Sequence, residues 1–495
     1  MAIKSILYVR LKCPEIYPSS VIYLADWVHK KRPEVDQQIV DMALFDDLDE
    51  KRALVDAIEK HEPDAVAFSW RNMQPFSPNE TDESLYQALT FYHSKNPIKK
   101  TRAALSGLRM VLDYNDRIKR NFSLIHLVDR KFPQKKIWAG GPAFGLFLDI
   151  MAERLPEGAV AIGGEGESAI LKLIDGVDLL DEKVAVKIDG KVKLGEKKEY
   201  FPLWDESTPV DFQYISKIFP NFANYIKKDY EVAVQTKRGC PYKCVFCAYG
   251  FIDGYKVRFR KPEVIAQEAQ TLVKDFGVNK IWFCDSQFYP SRQSLPIVEK
   301  TLDELIDRKL DIRWSSYLRI DNVTETLADK MVRSGLRHLR LSITSGCQPI
   351  VDWLKIGMKF DKFFDACRLM VAAGYEGTIN LDLSLNAPHE TKETILETIE
   401  TVESIADIFG RDMVRPFIIF LAIQPRTTLA KYAVEKGYLK PDFNPLTLTP
   451  FSIRKLIHNP PPLGKPIGKA LIKSMEEHPD NIGWNVLEEL KREFS

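Results

Sequence analysis

Two successive series of short apolar segments, each alternating with stretches of helical spacing, run through this chain. In the first series, the strand-like segments lie at residues 3–9, 38–44, 65–70, 136–138 and 159–162. Helical spacing appears at residues 19–29, 48–60 and 169–174. Strands that alternate with helices form a parallel sheet covered on both faces. The first part of the chain is therefore predicted to be a Rossmann-like, doubly wound α/β domain, whose ligands bind at the carboxyl ends of the strands.

The second series begins near residue 231 and contains six strand-like segments, at residues 232–236, 280–284, 313–318, 338–343, 378–385 and 416–421. Helical patterns separate them at residues 262–276, 295–308, 325–334, 360–373 and 391–409. This number of units is too small for the eight-unit barrel. An open, partial (β/α)6 barrel is therefore predicted.

Domain boundaries follow from these two series. We expect the Rossmann-like domain over residues 1–200, with an insertion at about 73–133 that is longer than a simple crossover needs. A linker at 201–230 would lead into the partial barrel at 231–445. A small helical C-terminal cap would occupy residues 446–495.

Composition narrows the class of protein. The 70 Lys and Arg residues balance 69 Asp and Glu residues, which leaves no strong nucleic-acid signal. No apolar run reaches about 18 residues, so no membrane span is expected, and the N-terminus lacks a signal-peptide pattern. Seven cysteines are too few for a disulfide scaffold. These features predict a cytoplasmic protein whose thiols serve chemistry or packing.

Three cysteines, Cys240, Cys244 and Cys247, have the spacing Cys-x3-Cys-x2-Cys and directly follow the first strand of the second series. Three thiolates in a glycine-bearing loop can hold three irons of a [4Fe–4S] cluster and leave the fourth iron open. A structural zinc site needs four ligands, and no fourth Cys or His lies nearby in the sequence. A zinc-stabilised binding module without catalysis is the alternative, which metal identity would distinguish.

This motif, with Phe246 before its last cysteine and six strand–helix units behind it, resembles the radical S-adenosylmethionine (SAM) superfamily over roughly residues 231–438. The resemblance implies that the three cysteines ligate the cluster, that SAM chelates the open iron, and that Phe246 packs near the adenine. It also implies cofactor contacts in the third- and fourth-strand segments, from Arg319, Thr344 and Ser345. Thr344 stands where the family usually has the acid that contacts the ribose.

The first domain extends the resemblance. A doubly wound domain that ends in Gly163-Gly-Glu-Gly-Glu167, before this cysteine motif, resembles the cobalamin (B12)-binding subgroup of radical SAM enzymes, the class B methyltransferase-like members. That implies a corrin lying against the strand ends, with cofactor contacts from Ser69, Arg71, Gly140, Gly141, Gly164 and Glu165. Glycine allows a flat ring to approach the backbone closely. Taken alone, such a glycine run is also typical of a simple strand-to-helix turn.

The chain lacks the Asp-x-His-x-x-Gly motif that supplies a histidine below the cobalt in many cobalamin proteins. Residues 69–74, Ser-Trp-Arg-Asn-Met-Gln, instead resemble the equivalent stretch of the tryptophan C2-methyltransferase of thiopeptide biosynthesis, where an arginine lies under the cobalt. This implies that Arg71 keeps water from the lower face of the cobalt and favours nucleophilic Co(I). The alternative is a surface arginine, or one that binds the phosphate of the nucleotide tail.

Three polar residues near barrel strand ends are catalytic candidates. Asp285 and Gln287 follow the second barrel strand, where SAM and substrate should meet, and either could orient a ligand; Asp285 could instead cap the next turn. Tyr317 could act as an acid or base, or simply satisfy a hydrogen bond. Packing is the expected role of the cysteines outside the motif, Cys13, Cys284, Cys347 and Cys367.

The resemblance thus implies a cobalamin-dependent radical SAM methyltransferase with a [4Fe–4S] cluster, SAM and cobalamin as cofactors. In that family one SAM methylates the cobalt and another is cleaved to a 5′-deoxyadenosyl radical, while an external electron donor reduces the cluster. The alternatives are a radical-free methyl transfer, a non-methylating cobalamin enzyme that forms or rearranges rings, and a radical SAM enzyme whose first domain binds no cobalamin. The substrate, a small molecule or a peptide, is not readable from the sequence.

Overall fold

The computed structural model describes residues 3–46, 49–71, 79–179, 181–195, 208–227, 230–449 and 457–495. Up to residue 230 its strands are β1 (Ser5–Arg10), β2 (Asp36–Asp41), β3 (Ala65–Ser69), β4 (Lys136–Gly140), β5 (Val160–Ile162), β6 (Val184–Ile188) and β7 (Lys191–Leu194). The helices of this part are α1 (Ser19–Lys31), α2 (Glu50–His61), α3 (Glu83–His93), α4 (Pro97–Lys131), α5 (Pro142–Ala152), α6 (Gly166–Asp175) and α7 (Phe212–Ile218).

From residue 231 the strands are β8 (Glu231–Val234), β9 (Lys237–Arg238), β10 (Arg258–Phe259), β11 (Lys280–Phe283), β12 (Arg313–Tyr317), β13 (Leu336–Thr344), β14 (Thr378–Leu383) and β15 (Val414–Ile418). The helices are α8 (Tyr249–Ile252), α9 (Pro262–Phe276), α10 (Leu295–Asp307), α11 (Glu325–Arg333), α12 (Gln348–Trp353), α13 (Phe360–Ala372), α14 (Lys392–Phe409), α15 (Thr428–Glu435), α16 (Gly464–Glu477) and α17 (Ile482–Phe494). Among the described residues, no helix is long and apolar enough to cross a membrane.

The first sheet has the strand order β2-β1-β3-β4-β5-β6-β7. Strands β1 to β5 pair in parallel, with β1 between β2 and β3. Five successive residues of β1 are buried, as expected for a strand covered by helices on both faces. The predicted doubly wound α/β domain is confirmed.

Two details of this sheet are not given by the five strand-like segments of the first series. The hairpin β6–β7 continues the sheet, because β6 pairs antiparallel with β5. The second strand was expected to reach residue 44 but ends at Asp41, whose side chain accepts a hydrogen bond from Ala43 N (2.9 Å) and starts a 3-10 turn. A local side-chain hydrogen bond thus ends the strand before its apolar pattern stops.

The second sheet is six-stranded, in the order β15-β14-β13-β12-β11-β8. The pairs β12–β13, β13–β14 and β14–β15 are parallel. The expected open sheet of six strands is therefore confirmed. Its last strand begins and ends earlier than residues 416–421, and the short helices α12 and α15 were not predicted.

Helix α9 illustrates how the sequence sets these elements. Pro262 occupies the first turn, where a missing N–H costs nothing. Ile265, Ala269 and Leu272 form the buried stripe at helical spacing. Gly277 follows with φ of +69°, a left-handed conformation that glycine adopts easily and that ends the helix.

The chain is organised in two compact units. The first comprises residues 1–73, 116–239 and 251–282, and it contains the first sheet. The second comprises residues 74–115, 240–250 and 283–495, and it contains β12 to β15. The domain boundaries predicted from sequence, with the linker at 201–230, stay predictions, and residues 201–207 and 228–229 of that linker lie outside the described residues.

Candidate functional site

The three motif cysteines lie in the loop between β9 and α8, and their side chains are half-buried. Burial raises the pKa of the Cys244 thiol to about 12, and the neighbouring Cys247 and Cys240 add to the shift. This mutual influence indicates three thiols that share one region of the loop. A cationic metal centre beside Cys244 would offset this burial and stabilise its thiolate.

The donor set fits an iron–sulfur cluster. Among the described residues, no three His, Cys, Asp or Glu side chains converge on a position for a single metal ion. In a [4Fe–4S] cluster each cysteine binds a different iron, so the three thiols need not converge on one point. The cysteine loop therefore has the chemistry of a three-cysteine cluster site.

The residues before the loop are fixed by the first unit. Gly239 has φ of +83°, and a Cβ atom there would lie 2.1 Å from the carbonyl oxygen of Lys256, so only glycine fits. The buried ammonium of Lys237 donates to the Gly239 carbonyl at 2.9 Å. The chain thus enters the cysteine loop through a turn that a side chain would block.

Within the second unit, two backbone hydrogen bonds hold the middle of the loop. Val245 N donates to the carbonyl of Leu354 at 3.0 Å, just after α12. Leu429 N, in the first turn of α15, donates to the Val245 carbonyl at 2.8 Å. The two unpredicted helices therefore position the segment between Cys244 and Cys247.

Arg319, predicted to contact SAM, contacts the loop in this structure. Its guanidinium lies over the ring of Tyr242, 4.2 Å from the ring centroid. It also forms a two-pronged ion pair with Asp321, with Nη2–Oδ2 at 2.6 Å. The carbonyls of Ile356 (3.2 Å) and Gly357 (2.8 Å) accept further hydrogen bonds. Arg319 thus supports the cysteine loop, and its contact with SAM stays a prediction.

The end of β13 carries backbone strain. Thr344 is buried and has φ of +68°, a region that β-branched residues rarely adopt. The following Ser345 is also buried, and its hydroxyl lies 3.2 Å from that of Thr398. Gly346 N donates to the same Thr398 hydroxyl at 2.8 Å. Such strain is held in place by its surroundings and is often found at functional sites.

A half-buried carboxyl group that sequence reasoning left without a role, that of Glu390, lies beside this turn. Glu390 accepts hydrogen bonds from the hydroxyls of Thr394 and Ser345. Burial raises its pKa to about 7. The strained turn at the end of β13 is therefore hydrogen-bonded to a carboxyl that can gain or lose a proton near neutral pH.

The other predicted residues of the barrel lie where the sequence placed them. Asp285 and Gln287 are buried just after β11, and the Gln287 amide donates to the carbonyl of Tyr289 at 3.3 Å. Tyr317 is half-buried at the end of β12, and Phe246 is half-buried in the cysteine loop. Their roles toward cofactor and substrate stay predictions.

At the carboxyl ends of β1 and β3, the first unit presents a group of polar side chains. Ser69 is half-buried and Arg71 is exposed, while Asn72, Met73 and Gln74 lie outside the described residues. Burial raises the pKa of Cys13, whereas the guanidiniums of Arg10 and Arg71 lower it, which places both charges near this thiol. Arg10 itself is buried against Asp41 (2.5 Å).

The predicted glycines differ in how far the fold explains them. Gly141 has φ of +100°, and a Cβ there would lie 2.7 Å from the Trp70 carbonyl oxygen. At Gly140 a Cβ would meet only Ile162, at an ordinary 3.5 Å, and at Gly164 it would meet Lys183 at 3.3 Å. The protein's own packing requires glycine at 141 but leaves Gly140 unexplained.

Glu165, predicted to contact cobalamin, is held in a buried ion-pair cluster of the first unit. Its carboxylate accepts from Arg258 Nη1 at 2.8 Å and lies 3.8 Å from Arg238 Nη1. Glu167 pairs with Arg238 at 2.6 Å. The cluster therefore joins the glycine turn after β5 to the hairpin β9–β10, whose first strand leads into Gly239.

A family profile described as the Radical SAM superfamily matches residues 234–402, which include all three motif cysteines and β11 to β14. These residues belong to the radical SAM superfamily. The predicted membership is thereby confirmed for this segment.

A curated relative also matches a large part of this chain. An uncharacterised methyltransferase of Pyrococcus horikoshii is 22% identical over 306 residues, which cover 61% of this chain and 63% of the relative. The match therefore spans less than two thirds of that relative's length.

Two solved structures share the fold of nearly the whole chain. The radical SAM methyltransferase TsrM of Kitasatospora setae, solved with a tryptophan substrate and a SAM analogue, has a TM-score of 0.65 and 15% identity over 91% of this chain and 81% of its own. The cobalamin-dependent SAM radical enzyme OxsB has a TM-score of 0.67 and 13% identity over 96% of this chain and 66% of its own. Both alignments extend well beyond the radical SAM domain.

The sequence identified the residues of the cysteine motif. It did not identify the residues that support the motif in the fold. Tyr242 and Asp321 hold Arg319, and Glu390 binds the turn at Ser345. One of these contacts could have been predicted from the sequence: Arg319 and Asp321 are opposite charges only two residues apart. The remaining partners are distant in sequence and have no local signature.

Proposed function

We propose that this chain is a cobalamin-dependent radical SAM methyltransferase that moves a methyl group from SAM, by way of cobalamin, to a carbon atom of a small molecule or peptide. One observation carries the proposal: the cysteine loop of the radical SAM domain and a complete doubly wound sheet occur in one chain. The same combination is present in TsrM, solved with cobalamin and a [4Fe–4S] cluster bound. The name of the Pyrococcus relative supports methyl transfer as the reaction.

In this proposal Cys240, Cys244 and Cys247 hold the cluster as thiolates. The cluster supplies the electron that cleaves SAM, and cobalamin supplies a carrier for the methyl group. Gly239 shapes the entry to the loop, and Arg319 fixes its outer part through Tyr242.

SAM would lie along the ends of the barrel strands. Phe246 offers a ring for the adenine, and the buried hydroxyls of Thr344 and Ser345 offer polar contacts for the ribose. Glu390 would keep the Ser345 hydroxyl oriented, because its carboxyl already accepts that hydrogen bond. An external one-electron donor would reduce the cluster, as the resemblance to the family implies.

Cobalamin would lie at the carboxyl ends of the first sheet, against Ser69, Arg71, Gly140 and Gly164. The fit rests on Gly140, whose missing side chain serves the approach of a flat ring, since protein packing does not require it. The exposed guanidinium of Arg71 would lie below the cobalt and disfavour a water ligand there. Glu165 would contribute through its backbone, because arginines bind its carboxylate.

The substrate would lie near Asp285, Gln287 and Tyr317. Asp285 and Gln287 are buried polar groups that can orient a ligand. Tyr317, half-buried at the end of β12, can donate or accept a proton.

Metal and cofactor content tests the proposal. After anaerobic purification with cobalamin supplied and the cluster reconstituted, we expect about four iron atoms and about one cobalt atom per chain. Replacing Cys240, Cys244 and Cys247 with Ala should remove the iron, whereas Cys367→Ala, at a buried position on α13, should keep it. Zinc without iron would contradict the cluster, and iron without cobalt would contradict the cobalamin assignment.

Product mass then tests methyl transfer, because methylation adds one CH₂ unit to the substrate. A product of changed structure but unchanged carbon count would contradict the methyltransferase assignment and favour a rearrangement. Arg71→Ala should admit water to the cobalt and change the visible absorption spectrum of bound cobalamin. If the Arg71→Ala variant still bound cobalamin and its absorption spectrum were unchanged, Arg71 would not lie at the lower face of the cobalt.

A further inference from the structure

Half of the exposed large apolar side chains among the described residues lie on one short stretch of the second unit. Of twelve such side chains among the described residues, six lie between residues 91 and 112. They are Phe91, Tyr92, Ile98, Leu105, Leu108 and Leu112. Scattered exposed apolar residues need no explanation, but a continuous group of them marks an interaction surface.

Four of these residues form one stripe on α4. Ile98, Leu105 and Leu112 are seven residues apart, which places them on one face of a helix, and Leu108 lies between the last two. The stripe runs for about 21 Å along the helix. Phe91 and Tyr92, at the end of α3, precede the start of the stripe by only a few residues.

A neighbouring face of α4 is packed within the second unit. Val111 and Tyr114 are buried, and the Tyr114 hydroxyl donates to the carbonyl of Pro445 at 2.6 Å. The exposed stripe adjoins this packed face, so the apolar surface of α4 extends beyond the part that the unit buries.

The charged side chains along the length of the stripe are basic, whereas Asp113 and Asp116 follow its C-terminal end. Between residues 84 and 112 there is no Asp or Glu, whereas Lys95, Lys99, Lys100, Arg102 and Arg109 are all present and exposed. Arg102 and Arg109 each lie four residues after a stripe residue, beside the stripe on the helix surface. Among the described residues Lys99 pairs with Glu476, and no carboxylate pairs with Arg102 or Arg109.

We propose that this face of α3 and α4, residues 91–112, binds the surface of an anionic lipid bilayer. An apolar stripe flanked by Lys and Arg, with aromatic side chains at one end, is the composition of a helix that lies in a membrane interface. A second copy of the chain is disfavoured, because antiparallel pairing of two stripes would bring Arg102 and Arg109 of both copies together. The proposal is independent of the proposed function.

Vesicle sedimentation of the full chain tests this proposal. The chain should sediment with vesicles of phosphatidylcholine and phosphatidylglycerol, and not with vesicles of phosphatidylcholine alone. Replacing Arg102 and Arg109 with Gln should weaken binding by about fivefold for each arginine. Replacing Leu105 and Leu108 with Gln should weaken it by about tenfold or more.

Matched controls are available on exposed apolar residues elsewhere. Val371→Gln and Leu194→Gln change side chains of comparable exposure and should leave vesicle binding unchanged. Circular dichroism should show the fold unaltered in all variants, because the changed side chains are exposed.

Three outcomes would overturn the proposal. Equal binding to neutral and anionic vesicles would remove the role of the basic residues. Unchanged binding by the Leu105 and Leu108 variant would remove the role of the stripe. A dimer in analytical ultracentrifugation that the same variant dissociates, without vesicle binding, would make the stripe an interface between copies of this chain.

Discussion

Replacing Arg319 with Gln separates two roles that this residue can have. In the structure its guanidinium braces the cysteine loop through Tyr242 and pairs with Asp321. In the sequence it is predicted to contact SAM. If Arg319 supports the loop, its loss lowers the stability of the protein even without ligands. If Arg319 only contacts SAM, its loss leaves the stability of the ligand-free protein unchanged.

The expected loss of stability follows from the burial of the Arg319–Asp321 ion pair. Asp321 is 6% exposed and Arg319 is 11% exposed by side chain, so Arg319→Gln leaves a buried carboxylate without its cation. Breaking a buried ion pair costs about 3–5 kcal/mol, and the loss of the stacked ring adds about 0.5–1 kcal/mol. Because Arg319 is partly exposed, we expect a loss of about 3 kcal/mol in the free energy of unfolding of the second unit.

Urea unfolding without ligands, followed by tryptophan fluorescence, measures this loss. The control is Arg333→Gln, which breaks an exposed pair with Asp329 on α11 and should cost less than about 1 kcal/mol. Arg319→Gln should also lose iron faster than the parent during dialysis against a chelator. Unchanged unfolding and iron retention, with weaker SAM binding, would refute the bracing role.

Three further predictions concern stability. Gly141→Ala should destabilise the first unit by about 1–3 kcal/mol in thermal unfolding, while Gly140→Ala should not, because only Gly141 has a positive φ and a close backbone neighbour; equal effects would contradict this. Burial raises the pKa of Glu80 to about 7, so the stability it contributes is complete below pH 4.5 and is lost as the pH rises through 7. Glu80→Gln should therefore gain about 3 kcal/mol relative to the parent over that window, and a constant difference would contradict the burial of the charge. Burial lowers the pKa of His458 to about 4, so its stabilising contribution is lost as the pH falls from 6.5 towards 4. In urea unfolding, the stability of His458→Phe should rise by about 2 kcal/mol relative to the parent when the pH is lowered from 8 to 5. An unchanged difference in stability would contradict the burial of the histidine.

The elements that could be predicted are those with a strong local pattern. The helix over residues 262–276 matches α9, because proline, an apolar stripe and glycine all agree along one segment. The strand expected at 338–343 lies within β13, because its apolar residues alternate with polar ones as in a strand. The cysteine loop was recognisable for the same reason, since its ligands are separated by a few residues.

Features that depend on distant partners could not be predicted. The pairing of β6 with β5 could not be predicted, because the apolar pattern of a strand does not show which other strand it pairs with. Glu390 looks like a loop residue until the Ser345 hydroxyl is placed against it. Local sequence specifies which residues are apolar, whereas long-range packing decides which polar side chains meet.

The way the cysteine loop is held has a consequence for when the protein matures. Val245, in the middle of the loop, is hydrogen-bonded to Leu354 and to Leu429, both of which leave the ribosome much later. At ordinary rates of synthesis the interval from Val245 to Leu429 lasts roughly ten to forty seconds. During that time the three thiols are present without the helices that position them. Cluster delivery is therefore a late event, timed after the last barrel strand has been made, and thiol oxidation during translation is the hazard that a producing cell must control.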